Sequence, residues 1–94
     1  MRKESRPDFS QKLKESRREL DLLDQKMLTL LNRRLRVCLD IGKIKKGTGM
    51  KIYDAERERE ILERLKRKNR GPLRERDLKE IFSVILWVSR KSQV

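Results

Sequence analysis

The stretch RRELDLLDQKMLTLLNRR, Arg17–Arg34, carries apolar residues at the three- and four-residue spacing of one helix face. The pattern extends in both directions, because no proline and only one glycine, Gly42, lies between Phe9 and Lys46. We therefore predict one long helix over about residues 9–46. The apolar positions of its face are Leu13, Leu20, Leu23, Met27, Leu30, Leu31, Cys38 and Ile41.

Two shorter helices are predicted after it. The segment Gly47-Thr48-Gly49 breaks the first helix, and Asp54 is placed to cap a second one that runs to about Lys68. The Asn69–Pro72 segment ends that helix, and a third follows over about Glu75–Lys91. No alternating strand pattern competes, so the fold class is all-α. The third apolar face consists of Leu78, Ile81, Phe82, Ile85 and Leu86.

The length of the first helix predicts assembly. A helix of some 35 residues spans roughly 50 Å, whereas a compact domain of 94 residues has a radius of gyration of only ~12 Å. Two short helices cover only part of its apolar face, and a second copy of the chain is needed for the rest. We expect residues 1–94 to form a single domain within an intertwined helical homodimer, with residues 1–9 as a flexible N-terminal extension.

Composition narrows the function classes. Cys38 is the only cysteine and there is no histidine, which argues against an intrachain disulfide and a transition-metal site. No apolar run reaches the ~20 residues that span a bilayer, and the N-terminus lacks a signal-peptide pattern. We expect a cytoplasmic protein that uses no metal and no cofactor.

Charged residues interrupt the apolar face of the long helix. Steps of three and four residues meet Arg17, Asp24, Arg34 and Lys45. Burying a cation is costly unless an anion meets it, and Asp24 alone cannot neutralise three cations. An external anion is therefore indicated; the alternative is that these long side chains reach water from the edge of the face.

Helix geometry separates these cations. Arg34 and Lys45 differ by about 20° in direction and by roughly 16 Å along the axis, which leaves room for one small ligand between their side chains. Arg17 lies about 25 Å from Arg34 and points roughly 100° away. Arg17 is therefore expected to reach a different copy of the site.

Polar residues also continue the faces of the other two helices. Asp54, Arg57 and Glu58 stand one turn before the apolar positions of the second helix, although the role of a helix cap accounts for Asp54. The apolar face of the third helix continues into Ser89 and Gln93. A frayed polar end of the helix would give the same pattern.

Four segments together resemble the all-helical chorismate mutases. They are Arg17–Arg34, IGKIKKGTGMKIYDAERERE (Ile41–Glu60), ILERL (Ile61–Leu65) and IFSVILWVSRKSQ (Ile81–Gln93), and the resemblance covers about Leu13 to Gln93. It implies that Arg34, and Arg17 of the partner subunit, hold the two substrate carboxylates with planar guanidinium groups. It further implies that Lys45 and Gln93 donate hydrogen bonds to the ether oxygen whose bond breaks.

The remaining roles implied by the resemblance concern the substrate ring. Glu58, with the backbone near Asp54, is similar to the acceptor of the ring hydroxyl, and Arg57 and Ser89 match positions that line the site. The reaction is the rearrangement of chorismate to prephenate, an isomerisation in phenylalanine and tyrosine biosynthesis. It is a unimolecular pericyclic step that needs no nucleophile, metal or cofactor, only positioning and charge stabilisation.

Two other functions remain open at this point. The first is an isochorismate pyruvate lyase on the same fold, although a hydroxyl acceptor at Glu58 favours the mutase. The second is a basic helical dimer that binds nucleic acid, because 27 Lys and Arg residues could neutralise phosphates. The 15 acidic residues among them and the 4% aromatic content argue against it, so we expect a small-molecule substrate, no nucleic acid and no membrane partner.

Overall fold

The computed structural model describes residues 6–94, which form three helices and, within that range, no strand. These are α1 (Arg6–Thr48), α2 (Ala55–Lys68) and α3 (Glu75–Ser92). The predicted all-α class and the order of one long and two shorter helices are confirmed. Of the predicted N-terminal extension, residues 1–5 lie outside the described residues and residues 6–9 belong to α1.

Helix α1 ends two residues later than predicted, because Gly47 stays helical and Gly49 makes the break. Gly49 has φ 74°, a left-handed conformation that is accessible to glycine at little cost. The Met50 N–H then donates to the Lys45 carbonyl at 3.0 Å, the bond that closes a Schellman motif. The end of α1 is thus fixed within one turn of Lys45.

Helix α2 begins as the sequence predicts. Asp54 is its N-cap, and its carboxylate Oδ1 accepts a hydrogen bond from the Arg57 N–H at 3.0 Å. The helix ends before Asn69, whose side chain accepts from the Gly71 N–H at 3.0 Å and donates to the Leu73 carbonyl at 2.8 Å. A short self-bonded turn therefore leads into α3.

Helices α2 and α3 pack against each other. Lys66 near the end of α2 lies 3.0 Å from the Glu75 carboxylate at the start of α3. The pKa of Lys66 is raised above its ordinary value, mainly by the hydrogen bond to Glu75 and then by the negative charges of Glu75 and Glu63, which attract the ammonium group. This exposed pair ties the two helices together at the end away from Gln93.

The chain divides into two units, Met1–Arg34 and Leu35–Val94. The second unit contains the buried apolar residues Cys38, Leu78 and Leu86. In the first unit the apolar face of α1 is largely exposed, with Leu20, Leu23, Met27 and Leu31 between 43% and 57% exposed. None of the three helices carries an apolar stretch long enough to cross a membrane.

Candidate active site

Gly42 lets α1 approach the end of α3. A Cβ atom on Gly42 would lie 3.1 Å from the Cβ atom of Gln93 and 2.9 Å from its Cα atom, and the latter distance is shorter than real Cβ contacts. Glycine in the middle of a helix costs roughly 0.5–1 kcal/mol relative to alanine, so this close approach gives Gly42 a structural reason. It also buries Gln93, which is only 9% exposed.

The Gln93 side chain brings an amide into this buried place. Its Oε1 atom is buried and has no hydrogen-bond partner among the described residues. A buried polar atom without a partner costs about 1–3 kcal/mol, and such atoms are rare in native proteins. A half-turn of the amide exchanges acceptor for donor, so Gln93 can offer either group to a small molecule.

Lys45 lies three residues after Gly42, on a neighbouring part of the same helix face. Its side chain is half-buried, and Nζ donates to the Ile52 carbonyl at 2.7 Å. This bond ties the loop between α1 and α2 to α1 and fixes the direction of the ammonium group. Of the three N–H donors of a lysine, two remain for another acceptor.

Glu58 forms an ion pair that joins α2 to α3. The Arg90 Nη1 atom lies 2.5 Å from Oε1 and 2.6 Å from Oε2 of Glu58. The Glu58 side chain is only 20% exposed. The Arg90 guanidinium also stands over the Tyr53 ring, 4.8 Å from its centroid. Glu58 is therefore held as a partly buried, oriented carboxylate.

The other predicted positions of the second unit differ in exposure. Ser89 is 7% exposed, and its hydroxyl donates to the Ile85 carbonyl one turn earlier at 2.8 Å. Arg57 instead lies on the exposed side of α2, where it contacts Glu60 at 3.4 Å. Asp54 is exposed and engaged in the helix cap.

The arrangement combines a cation, an amide and an oriented carboxylate on three helices. In the described part of the chain there is no group of three or more His, Cys, Asp or Glu side chains that could hold a metal ion.

The family described as chorismate mutase type II matches residues 16–94 of the chain. The chain belongs to the type II chorismate mutase family. The resemblance seen in the sequence is thereby confirmed.

Relatives of this chorismate mutase family chain include both long and short proteins. A bifunctional chorismate mutase/prephenate dehydratase from Aquifex aeolicus is 37% identical over 92 residues. The match covers 89% of this chain and 25% of the relative. A chorismate mutase from Methanocaldococcus jannaschii is 37% identical over 57 residues, covering 61% of this chain and 58% of the relative. The chain thus spans about a quarter of the Aquifex aeolicus protein.

A solved structure shows the same fold. The chorismate mutase (form II) from Thermus thermophilus superposes with a TM-score of 0.86 at 29% sequence identity. The match covers 87% of this chain and 93% of that chain. The three-helix architecture of the chorismate mutase family is therefore preserved here over most of the chain.

The predicted carboxylate-binding arginines belong to the first unit. Arg17 is exposed and Arg34 is half-buried, the latter at the end of that unit. The second unit holds Lys45, Glu58 and the buried pair Ser89 and Gln93. The roles of all these residues in this chorismate mutase family chain stay predictions.

Sequence reasoning missed three residues of this site. Gly42 carried a signal, because it is the lone glycine in the predicted long helix and such a glycine often marks a close approach. Tyr53 and Arg90 carried none, since neither belongs to an apolar face or a spacing rule. Arg90 follows Ser89 directly in the sequence, but nothing in the sequence indicates its ion pair with Glu58.

Proposed function

We propose that the chain catalyses the rearrangement of chorismate to prephenate. The observation that supports this most is that a half-buried ammonium, Lys45, lies one turn after Gly42 on α1, while a buried amide, Gln93, packs against Gly42 from the end of α3. Both are donors of the kind that stabilises an oxygen gaining negative charge. Family membership supports chorismate as the substrate.

The chemistry asks little else of the protein. The ether C–O bond breaks as a C–C bond forms within one molecule, so no proton, nucleophile or electron carrier takes part. In our proposal Lys45 and Gln93 donate to the ether oxygen, and Glu58 accepts the hydrogen bond of the ring hydroxyl. Such preorganised groups lower the barrier by holding a compact conformer and by meeting the charge that develops.

The substrate carboxylates are assigned to arginine. We infer that Arg34, and Arg17 of the partner subunit, hold them with the guanidinium geometry that suits carboxylates. Ser89 and the backbone near Asp54 complete the lining in this proposal. Arg57, whose side chain is 52% exposed, is assigned to the rim of the site.

The shared site requires an intertwined homodimer, which the exposed apolar face of the first unit supports. Leu13, Leu20, Leu23 and Met27 are each 47% or more exposed, and together they would bury a large apolar area against a second copy. Sedimentation at micromolar concentration should give twice the mass of the chain. A monomer that retains full activity would contradict the shared site.

The proposed function is tested by following the loss of chorismate absorbance with purified protein and identifying the product. We expect prephenate, and no pyruvate when isochorismate is supplied instead. Release of pyruvate from isochorismate without turnover of chorismate would favour the lyase. A role in phenylalanine and tyrosine biosynthesis and a location in the cytoplasm are part of the same proposal. The role in biosynthesis would be supported if production of the chain allowed a mutase-deficient cell to grow without these two amino acids.

A further inference from the structure

The ion pair of Arg90 is less exposed than that of Arg59, an arginine of α2. Its Nη1 atom contacts both oxygens of Glu58, at 2.5 and 2.6 Å, across 32 positions of the sequence. The side chains of Arg90 and Glu58 are 31% and 20% exposed. By contrast, Arg59 and Glu56 form a pair within α2 whose side chains are 68% and 72% exposed.

A second contact holds Arg90 from another side. The Tyr53 ring lies under the guanidinium at 4.8 Å, a distance at which a cation is attracted to an aromatic face. Tyr53 follows Ile52, whose carbonyl accepts the hydrogen bond of Lys45 at 2.7 Å. Arg90 thus connects the loop that orients Lys45 with the carboxylate on α2.

The charge of Glu58 raises a difficulty that Arg90 resolves. Chorismate carries two carboxylates, and a partly buried anion beside its ring would repel it more strongly than the same anion in water would. The ion pair with Arg90 offsets the charge of Glu58 before the substrate arrives. Each carboxylate oxygen has two acceptor sites, so a bond from Arg90 to each still leaves one for a hydroxyl.

We propose that Arg90 is a positioning residue of the active site, which neutralises Glu58 and fixes its oxygens as acceptors for the ring hydroxyl of a dianionic substrate. This inference rests on the proposed function. Neutralisation acts on the bound substrate and on the transition state alike, and uniform binding of this kind appears in KM rather than in kcat.

The test replaces Arg90 by an uncharged side chain of similar length. In Arg90→Met we expect KM for chorismate to rise by about tenfold or more while kcat falls by less than about fivefold. Arg90→Lys keeps the positive charge but loses the planar group over Tyr53, so its KM should lie between those of wild type and Arg90→Met. Arg59→Met is the matched control, because it removes an arginine from an exposed pair on α2, and its KM should stay at the wild-type value.

A double variant separates positioning from simple packing. Glu58→Gln removes the charge that Arg90 offsets, so adding Arg90→Met to Glu58→Gln should change KM by less than about twofold. If Arg90→Met raises KM equally in both backgrounds, or no more than Arg59→Met does, Arg90 only staples α3 to α2 and the proposal is wrong. Arg90→Gln, which also lacks charge, replaces Arg90→Met should the latter lose its helical circular dichroism.

The two proposals fail in different ways. A folded wild-type protein that neither converts chorismate nor binds it overturns the proposed function and this inference with it. An active wild type whose KM does not depend on Arg90 overturns the inference alone.

Discussion

Gly42 of α1 and Gln93 at the end of α3 meet backbone to backbone, so that a Cβ atom on Gly42 would stand 2.9 Å from the Cα atom of Gln93. The contact places a buried amide beside the helix that carries Lys45. The position of Gln93 therefore depends on a residue that has no side chain.

The first prediction concerns Gly42→Ala. The added methyl group meets the Cα atom of Gln93, a main-chain atom that cannot rotate away, so we expect a loss of stability of about 1–3 kcal/mol, as for overpacking elsewhere, and a fall in kcat as Gln93 is displaced. Thermal unfolding and turnover measure the two effects. Gly47→Ala is the control, because a Cβ atom there meets nothing within 4 Å. It should be neutral or stabilising by up to about 1 kcal/mol; equal behaviour of the two variants would contradict the close contact.

The second prediction concerns Lys45→Ala. Removing a donor to the ether oxygen should lower kcat about a hundredfold or more, on the order of 3 kcal/mol, as for the loss of one oxyanion donor. Circular dichroism should show that the helices survive. Lys46→Ala, at the exposed next position, should leave kcat unchanged. Near-normal turnover in Lys45→Ala would remove this residue from the site.

The third prediction uses the pH dependence of Gln93→Glu. An amide donates a hydrogen bond at any pH, whereas a carboxyl group donates only when it is protonated. The wild-type rate should therefore be nearly flat from mildly acidic to neutral pH. The variant should be active only at low pH and lose activity as the pH rises through the pKa of the introduced carboxyl group. Superimposable pH profiles of the two proteins would contradict the role of Gln93 as donor.

The fourth prediction tests the shared site. Arg17→Ala and Arg34→Ala homodimers should each be nearly inactive. When the two variants are unfolded together and refolded, about half of the dimers should be mixed, and each mixed dimer should carry one site free of both mutations. Activity should recover to roughly a quarter of wild type by this counting. Mixed dimers that are confirmed by mass and stay inactive would assign both arginines to the same chain's site, or Arg17 to structure.

The helix limits were predictable to within three residues because local chemistry sets them. A carboxylate at Asp54 can bond the free N–H groups of the next turn whatever the rest of the chain does, and the structure has this bond. Gly49 likewise ends α1 through its own backbone conformation. These signals lie within four residues of the place they act on.

The candidate site was only partly predictable, because burial depends on contacts between distant segments. Ser89 and Gln93 could equally have been a frayed end, and only the approach of α1 at Gly42 buries Gln93. The neighbours Arg57 and Glu58 point about 100° apart, and packing of α2 on α3 decides which is covered. The Arg90–Glu58 pair joins residues that no helical spacing relates. Its existence could be learned only from the fold.

The hydrogen bond from Lys45 to Ile52 ends on a main-chain oxygen, which every amino acid provides. Substitution of residue 52 therefore leaves the acceptor in place. Insertion of one residue between positions 45 and 52 would instead bring a different carbonyl group to the ammonium of Lys45, in a different position. In a chain that keeps this contact, the number of residues between positions 45 and 52 is constrained, whereas their identities are not. We therefore expect related chains that form this bond to share the length of the loop, and not its sequence.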